Sequence, residues 1–97
     1  MDQETDKDIF VLYLFIAGTT PNSTRAIINI KKICEQYLAG KSELHVIDIY
    51  QQPEQLVSEQ ITVVPTLIKK FPLPEKRMIG DLSNLEKVLK GLDLLEE

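Results

Sequence analysis

Apolar residues follow strand-like and helix-like spacing in turn along the first half of the chain. Residues 9–17 are apolar without interruption and rich in β-branched and aromatic side chains. Such a run predicts a central strand that is buried on both faces. After Gly18, apolar residues recur at helical spacing and predict an amphipathic helix. These residues are Ala26, Ile27, Ile30, Ile33, Cys34, Tyr37 and Leu38.

Residues with known terminal preferences set the limits of this helix. Thr20 can cap its N-terminus, and Pro21 suits the first helical position, where no N–H is needed. Gly40 is a typical residue beyond a helix C-terminus. Residues 44–49 then predict a second strand, so that strand, helix and strand form a right-handed parallel unit.

The segment after the second strand contains weaker signals. Pro53 begins a short helix that runs to about Ser58 and contains few apolar residues. The next run, residues 61–68, is rich in β-branched residues, yet Pro65 interrupts it and removes a donor from any sheet ladder. The pattern therefore indicates a strand-like run that is broken at Pro65.

The last third of the chain predicts a turn, a strand and a helix. Residues 69–76 form a proline-stiffened turn, and residues 77–79 can return as a hairpin strand. Residues 83–86 match a capping box with Ser83 as the cap. An apolar helical stripe follows, made of Leu85, Val88, Leu89 and Leu92.

The resulting order, β-α-β-α-β-β-α, is that of an α/β thioredoxin-like fold. In such folds a cis proline precedes the third strand, and Val64-Pro65-Thr66 has that place. Thioredoxin-like domains carry their reactive cysteines where the first strand passes into the helix. Here that stretch is Thr20-Pro21-Asn22-Ser23, without cysteine. A binding or switching role is therefore indicated, rather than redox catalysis.

Composition and charge exclude several other classes. A chain of 97 residues with 43% hydrophobic content predicts one globular domain, which we place at residues 8–97 after a flexible acidic segment, residues 1–7. The net charge of −4 gives no general attraction to nucleic acid or to an anionic membrane. No apolar run approaches the roughly 20 residues of a membrane span, and acidic residues precede the first run. We therefore expect a cytoplasmic protein.

Candidate catalytic chemistry is sparse. Cys34 is the one cysteine, and its helical position predicts a small buried apolar residue. His45 is the one histidine, and its strand position predicts an ordinary edge or surface residue. The sequence shows no metal-ligand cluster, no serine–histidine pairing and no phosphate-binding glycine loop. We therefore expect no enzymatic activity, no cofactor and no metal.

Several motifs, taken together in order and spacing, resemble the KaiB family of regulators of the KaiC ATPase in bacterial clocks. The resemblance covers nearly the whole chain, from Phe10 to Leu95. The motifs are Ala17-Gly18, Thr20-Pro21-Asn22-Ser23, Arg25-Ala26, Val46-Ile47-Asp48, Pro65-Thr66-Leu67, Ile79-Gly80-Asp81-Leu82-Ser83, Glu86-Lys87-Val88-Leu89 and Gly91-Leu92-Asp93-Leu94-Leu95.

The resemblance implies a non-catalytic regulator that adopts two folds. In the ground state the C-terminal half is arranged differently, usually within a tetramer built from dimers. The other fold is a thioredoxin-like monomer that binds the N-terminal ATPase ring of KaiC, sequesters KaiA and competes with the sensor domain of the kinase SasA. The implied partners are therefore a KaiC-like ATPase, KaiA-like or SasA-like proteins where the host has them, and further copies in a homodimer or homotetramer.

Two groups of residues are expected to carry this behaviour. The resemblance and the surface charge together suggest partner contacts at Asn22, Arg25, Asp48, Lys69, Lys70, Lys76 and Arg77. The expected switch residues are Pro65, Pro72, Pro74, Gly91 and Asp93. The prolines slow the exchange if their peptide bonds change isomer. Because high concentration favours self-association, we expect a crystal to contain the ground state.

The sequence also gives independent support for two packings. Its N-terminal half is strongly patterned, whereas the C-terminal half is ambiguous. Gly91 interrupts the last helix at a cost of about 1 kcal/mol relative to alanine. Residues 92–95 can also satisfy a strand. Two packings separated by a few kcal/mol are therefore expected.

The chain departs from the family pattern at three positions. Gln51 and Gln60 stand where many clock members have lysines, so two cationic contacts to an acidic partner surface are lost. Lys90 replaces a usually apolar residue and is expected to alter the balance of the two folds. We expect these departures to leave the fold intact. They argue against clock activity and tight KaiC binding, so the other expected setting is a stress-adaptation pathway.

Two rival functions can be stated from the residues. A thioredoxin-like oxidoreductase needs a nucleophilic thiolate at the helix start, which residues 20–23 do not supply. A glutathione- or thiol-ligand-binding domain is the other alternative. Val64-Pro65-Thr66-Leu67 followed by Asp81-Leu82-Ser83 resembles the glutathione-transferase pattern, but that family's all-helical second domain is missing.

Overall fold

The computed structural model describes residues 9–95, and the expected acidic segment 1–7 lies outside the described residues. Seven elements follow one another in the predicted order, which confirms a mixed α/β chain. They are β1 (Phe10–Ile16), α1 (Pro21–Tyr37), β2 (Ser42–Asp48), α2 (Glu54–Ser58), β3 (Thr66–Phe71), β4 (Lys76–Ile79) and α3 (Leu85–Gly91).

Strand β1 is at the centre of a four-stranded sheet with the order β2-β1-β3-β4. It pairs in parallel with β2 and antiparallel with β3, and β3 pairs antiparallel with β4. Leu14 is thus opposite Val46 on one side and Leu67 on the other. The two flanking strands pair the backbone groups of β1, and the core clusters that cover both of its faces explain its uninterrupted apolar run.

Both faces of β1 are buried, as its sequence predicts. Leu12 and Leu14 are fully buried in a cluster that includes residues of α1 and α3. Phe15 points to the opposite face, where it is fully buried in a second cluster that includes Ile47 and Ile68. Successive strand residues alternate between faces, so one strand contributes to both halves of the core.

The N-terminus of α1 is capped as predicted. The Thr20 side chain accepts a hydrogen bond from the Ser23 N–H at 3.3 Å, and the two hydroxyl oxygens are 2.8 Å apart. The helix ends at Tyr37, before Gly40 with its φ of +71°. Tyr37 was expected in the buried stripe but is 45% exposed, because the helix ends there at the margin of the core.

The predicted start of β3 directly after a cis proline is confirmed, but its predicted end was wrong. Residues 61–64 form no strand, and β3 begins at Thr66, after the cis peptide bond Val64–Pro65. The residues expected to open the turn continue β3 instead, because Lys69 pairs with Leu12 and Phe71 with Val11. The turn is confined to residues 72–75, where the bonds preceding both prolines are also cis.

The cap of α3 is one residue later than predicted. Asn84, not Ser83, occupies the cap position, and its side-chain oxygen accepts a hydrogen bond from the Lys87 N–H at 3.1 Å. The Ser83 N–H is already bound to the Asp81 carboxylate at 3.1 Å. After α3, the chain turns so that Leu92 is fully buried. The order of β3, β4 and α3 is the one predicted for the C-terminal half of a thioredoxin-like fold, and which arrangement a crystal contains stays a prediction.

None of the described helices combines the length and the apolar character needed to cross a membrane.

The observed cap predicts unequal effects of substitution at Asn84. Asn84→Ala removes the acceptor for the Lys87 N–H and should lower the free energy of unfolding by about 1 kcal/mol. Asn84→Asp keeps an acceptor oxygen and is the matched control, with an expected change near zero. Urea denaturation of both variants measures the difference. Equal destabilisation by the two substitutions would contradict this cap.

Candidate functional site

The residues predicted to contact a partner fall into three clusters in the structure, with one residue apart. The first cluster joins the start of α1 to the loop before α3. The second joins the sheet to the C-terminal turn. The third joins β3 and β4 to the turn after α2. Asp48, the residue apart, ends β2.

Asp48 holds the turn between β1 and α1. Its carboxylate accepts hydrogen bonds from the Tyr50 N–H at 2.9 Å and the Gly18 N–H at 3.3 Å. Gly18 has a φ of +56°, which favours glycine, and the Tyr50 ring lies against it. In this arrangement Asp48 therefore orders a turn.

The first cluster is built around Arg25. Its Nε donates to the Asp81 carboxylate at 3.0 Å, and one terminal nitrogen donates to the Asn22 side-chain oxygen. The side-chain amide of Asn29 donates to the Asp81 carbonyl at 2.9 Å. The Ser83 hydroxyl and the Arg25 guanidinium lower the pKa of Asp81 from its usual value. The cluster connects α1 with a loop of the C-terminal half.

The second cluster corrects the expectation that Lys69 is a surface residue. Its side chain is 1% exposed, and its ammonium group donates to the carboxylate of Asp93. Lys76 donates to the same carboxylate at 2.7 Å. The bonds from Lys69 and Lys76 lower the pKa of Asp93 from its usual value. In this arrangement Lys69 is not available to a partner.

The register of the sheet explains the position of Lys69. Leu67 and Lys69 alternate onto the face of β3 that packs towards α3, and their β4 partners are Met78 and Lys76. The aliphatic part of Lys69 is buried while its nitrogen reaches the half-exposed Asp93. The alternation with Leu67 was the available sequence signal, but the neighbouring Lys70 made the pair resemble an exposed turn.

The third cluster contains Lys70 and Arg77. The Lys70 nitrogen is 3.1 Å and 3.3 Å from the two carboxylate oxygens of Glu59, and it lies 5.7 Å from the centre of the Tyr13 ring. The guanidinium of Arg77 donates to the carbonyls of Glu59 and Gln60. Gln60 has a φ of +57°. These two cations therefore fasten the turn after α2 to the sheet.

The proposed switch residues lie where the C-terminal half packs on itself. A Cβ added at Gly91 would lie 2.5 Å from the Met78 sulfur, so α3 and β4 approach closely there. The Gly80 N–H donates to the Pro65 carbonyl at 3.0 Å. Pro72 and Pro74 lie in the β3–β4 turn. The roles of Pro65, Pro72, Pro74, Gly91 and Asp93 in switching stay predictions.

The position of a thioredoxin dithiol is occupied by two hydroxyl groups. Ser23 is fully buried, and its oxygen accepts from the Ala17 N–H at 3.0 Å as well as contacting Thr20. Beside this pair lies a shallow groove lined by Ala17, Thr20, Pro21, Asn22 and Val64. Because Val64 lines it, the groove adjoins the cis bond between Val64 and Pro65.

The other two candidate reactive residues, Cys34 and His45, show no arrangement typical of catalysis. Cys34 is partly buried, and this burial raises the pKa of its thiol, which disfavours the reactive thiolate. The exposed ring of His45 contacts the Glu43 carboxylate at 2.9 Å, as expected for a surface residue. Among residues 9–95, no three His, Cys, Asp or Glu side chains lie together in a way that could hold a metal ion.

Structural comparison places the chain among thioredoxin-like folds. The N-terminal domain of SasA from Synechococcus elongatus superposes with a TM-score of 0.72 at 26% identity, covering 93% of this chain and 89% of that domain. Chloroplastic thioredoxin z superposes with a TM-score of 0.70 at 17% identity, covering 94% of this chain and 84% of that protein. The thioredoxin-like fold is thereby confirmed.

Sequence comparison gives the family. The KaiB domain model matches residues 13–94. Circadian clock protein KaiB3 of Synechocystis sp. is 46% identical over 92 residues, covering 95% of this chain and 90% of that protein. Circadian clock oscillator protein KaiB of Synechococcus elongatus is 49% identical over 86 residues, covering 89% and 84% of the two chains. This chain therefore belongs to the KaiB family.

Proposed function

We propose that this protein is a non-catalytic regulator that binds a KaiC-type ATPase ring and modulates its phosphorylation state, in a circadian or stress-adaptation pathway. One observation supports the proposal most strongly. This KaiB-family chain has a thioredoxin-like fold, but the hydroxyl groups of Thr20 and Ser23 stand where a thioredoxin has its two thiols. Since redox catalysis needs a thiolate at that position, recognition of another protein is the better supported role.

The likeness to the SasA domain supports binding in this arrangement. In the family pattern a SasA sensor domain and a KaiB protein compete for the same ring. Two competitors for one surface need a similar docking shape, and the SasA domain covers 93% of this chain at a TM-score of 0.72. A SasA-like protein is therefore proposed as a competitor for the ring wherever the host has one, and a KaiA-like protein is proposed as a further partner from the family pattern.

The accessible cations define the proposed contact surface. Arg25 is 54% exposed at its side chain, Lys76 is 37% exposed, and Arg77 and Asn22 are exposed. Lys70 is 28% exposed and can contribute in part. Lys69 contributes only if the C-terminal half rearranges. Such a surface fits an acidic partner, whose approach it also accelerates.

The proposed mechanism is a shift between two arrangements of the C-terminal half, with a change of oligomeric state. Helix α3 has only 7 residues and ends at Gly91, so few of its own backbone bonds hold it. A ring that binds only the thioredoxin-like form shifts the population by its differential affinity. A change from 1:99 to 99:1 needs about 10⁴-fold preference, or about 5.5 kcal/mol.

The contacts of the site do not favour glutathione binding. Asp81, the carboxylate suggested by the glutathione-transferase pattern, already accepts from Arg25 and from the Ser83 N–H. An amino group of a peptide ligand would compete with these donors for the two carboxylate oxygens. Calorimetry with glutathione is expected to show no binding.

Binding to the ring is tested directly by mixing the protein with the host's own KaiC-type ATPase and measuring co-migration in size-exclusion chromatography. The wild type should co-migrate with the ring, and Arg25→Ala should weaken the complex about tenfold or more, as for a central arginine contact. Lys31→Ala is the matched control, because it removes another exposed cation of α1. A wild type that never associates with the ring would refute the proposed function.

Gly91→Ala should shift the population towards the thioredoxin-like arrangement by about fivefold, equivalent to about 1 kcal/mol of helix propensity. Gly91 has no positive φ, so alanine suits its backbone. The flexible Met78 side chain must move, and it borders a cavity that also contacts Leu82 and Val88. The ratio of the two sets of amide signals in NMR measures the shift.

Lys90→Ala is the control for alanine in the same helical turn, with a smaller expected shift because lysine already favours helix.

Asp93→Arg should also change the oligomeric state or the spectrum, since it removes the acceptor of Lys69 and Lys76. If Gly91→Ala and Asp93→Arg both leave the oligomeric state and the spectrum unchanged, this protein does not switch.

The ion pairs of Asp93 predict an acid-dependent loss of stability. Its pKa is lowered from 3.8 in the folded chain, so the unfolded chain binds the proton first as pH falls. The stabilisation is therefore present above pH 3.8 and is lost as pH drops through the lower folded value. Asp93→Asn should flatten the dependence of the free energy of unfolding on pH below about 4. An unchanged slope would contradict these ion pairs.

A further inference from the structure

The Arg25 guanidinium is held from two sides. Asp81 accepts from its Nε at 3.0 Å, and the Asn22 side-chain oxygen accepts from one terminal nitrogen. Asn22 is one turn before Arg25 on α1, whereas Asp81 comes from the loop after β4. Two acceptors in different directions fix the plane of a guanidinium, which a single contact leaves free to rotate.

Asp81 is itself held in place by other groups. The Asn29 side chain donates to its backbone carbonyl at 2.9 Å, and the Ser83 N–H donates to its second carboxylate oxygen at 3.1 Å. The Asp81 side chain is 25% exposed, less than half the exposure of Arg25. The carboxylate is therefore a fixed anchor rather than a mobile surface charge.

Part of the guanidinium remains available. The other terminal nitrogen of Arg25 has no hydrogen-bond partner among residues 9–95, and the side chain is 54% exposed. A planar, always charged group with donors facing solvent recognises a carboxylate, and it does so best when its orientation is already fixed. The ligand chemistry indicated by this geometry is an acidic side chain.

An apolar surface adjoins this cation. The groove beside the start of α1 is lined by Ala17, Pro21 and Val64 and shares Asn22 with the Arg25 cluster. A partner segment that extends from Arg25 along Asn22 meets apolar side chains next. The fitting partner segment therefore carries an acidic residue close to an apolar one.

We propose that Asp81 and Asn22 are positioning residues that hold the Arg25 guanidinium open to an acidic side chain of the partner, with the flanking apolar residue of the partner in the adjacent groove. This inference rests on the proposed function and adds to it. It gives Asp81, which no partner needs to touch, a role in recognition.

The proposal couples recognition to the arrangement of the C-terminal half. Arg25 belongs to the N-terminal half and Asp81 to the C-terminal half. We call the hydrogen-bonded set of Asn22, Arg25 and Asp81 the clamp. It is complete only when the loop after β4 lies beside α1, as it does here. A partner that needs the oriented guanidinium therefore binds this arrangement in preference to any in which Asp81 is elsewhere.

A double-mutant cycle with the host's KaiC-type ring tests the positioning role. Affinities are measured for the wild type, Asp81→Asn, Arg25→Ala and the double variant, at roughly 0.3 M salt to screen long-range charge effects. Asp81→Asn should weaken binding about three- to tenfold in the wild type. The same substitution should have no effect when Arg25 is already alanine, because Asp81 acts only through Arg25. Asn22→Ala should follow the same pattern.

Glu86→Gln is the matched control, because it removes an exposed carboxylate of α3 that is paired with Lys90 and is outside the clamp. Its affinity should equal that of the wild type. A second measurement needs no partner: the NMR signal of the Arg25 Nε–H should exchange slowly in the wild type and rapidly in Asp81→Asn.

The outcomes separate this inference from the proposed function. A wild type that does not bind the ring refutes both. A ring-binding wild type whose affinity rises or stays constant in Asp81→Asn refutes the clamp alone. An equal loss in the Arg25→Ala background assigns Asp81 a purely structural role and also refutes the clamp. An Arg25 Nε–H that exchanges rapidly with water in the wild type also refutes the clamp.

Discussion

The antiparallel pairing of β3 with β1 is the constraint on which this arrangement depends. β1 is buried on both faces and needs a neighbour on each side, and β2 supplies only one of them. Once β3 fills the other side, β4 pairs with β3, and Met78 of β4 lies under Gly91 of α3. The whole C-terminal half is therefore placed through one strand pairing.

Charged residues then join the two ends of this half to the rest of the chain. Asp81 reaches Arg25 on α1, and Asp93 reaches Lys69 and Lys76 on the sheet. Partly exposed ion pairs each contribute little to stability, typically below about 1 kcal/mol. Contacts of this size are sufficient to select among packings only where the packings have similar energy, as in the proposed switch.

The sequence was informative where burial and local chemistry agree. The double-sided burial of β1, the Thr20 cap and the order of elements all follow from patterns of neighbouring residues. It failed for Lys69, because the burial of a lysine depends on a carboxylate 24 residues later. The Arg25–Asp81 pair was missed for the same reason, at a separation of 56 residues. Asp81 carried a family motif but no signal of its contact with Arg25.

In the proposed function, the KaiC-type ring selects the thioredoxin-like arrangement of the C-terminal half. Hydrogen–deuterium exchange of the protein, alone and bound to its host's KaiC-type ring, tests it most directly. The amides of α3, residues 85–91, should become more protected on binding, while those of β1 stay protected in both states. A bound protein whose α3 amides exchange as fast as those of the free protein, or faster, would contradict it.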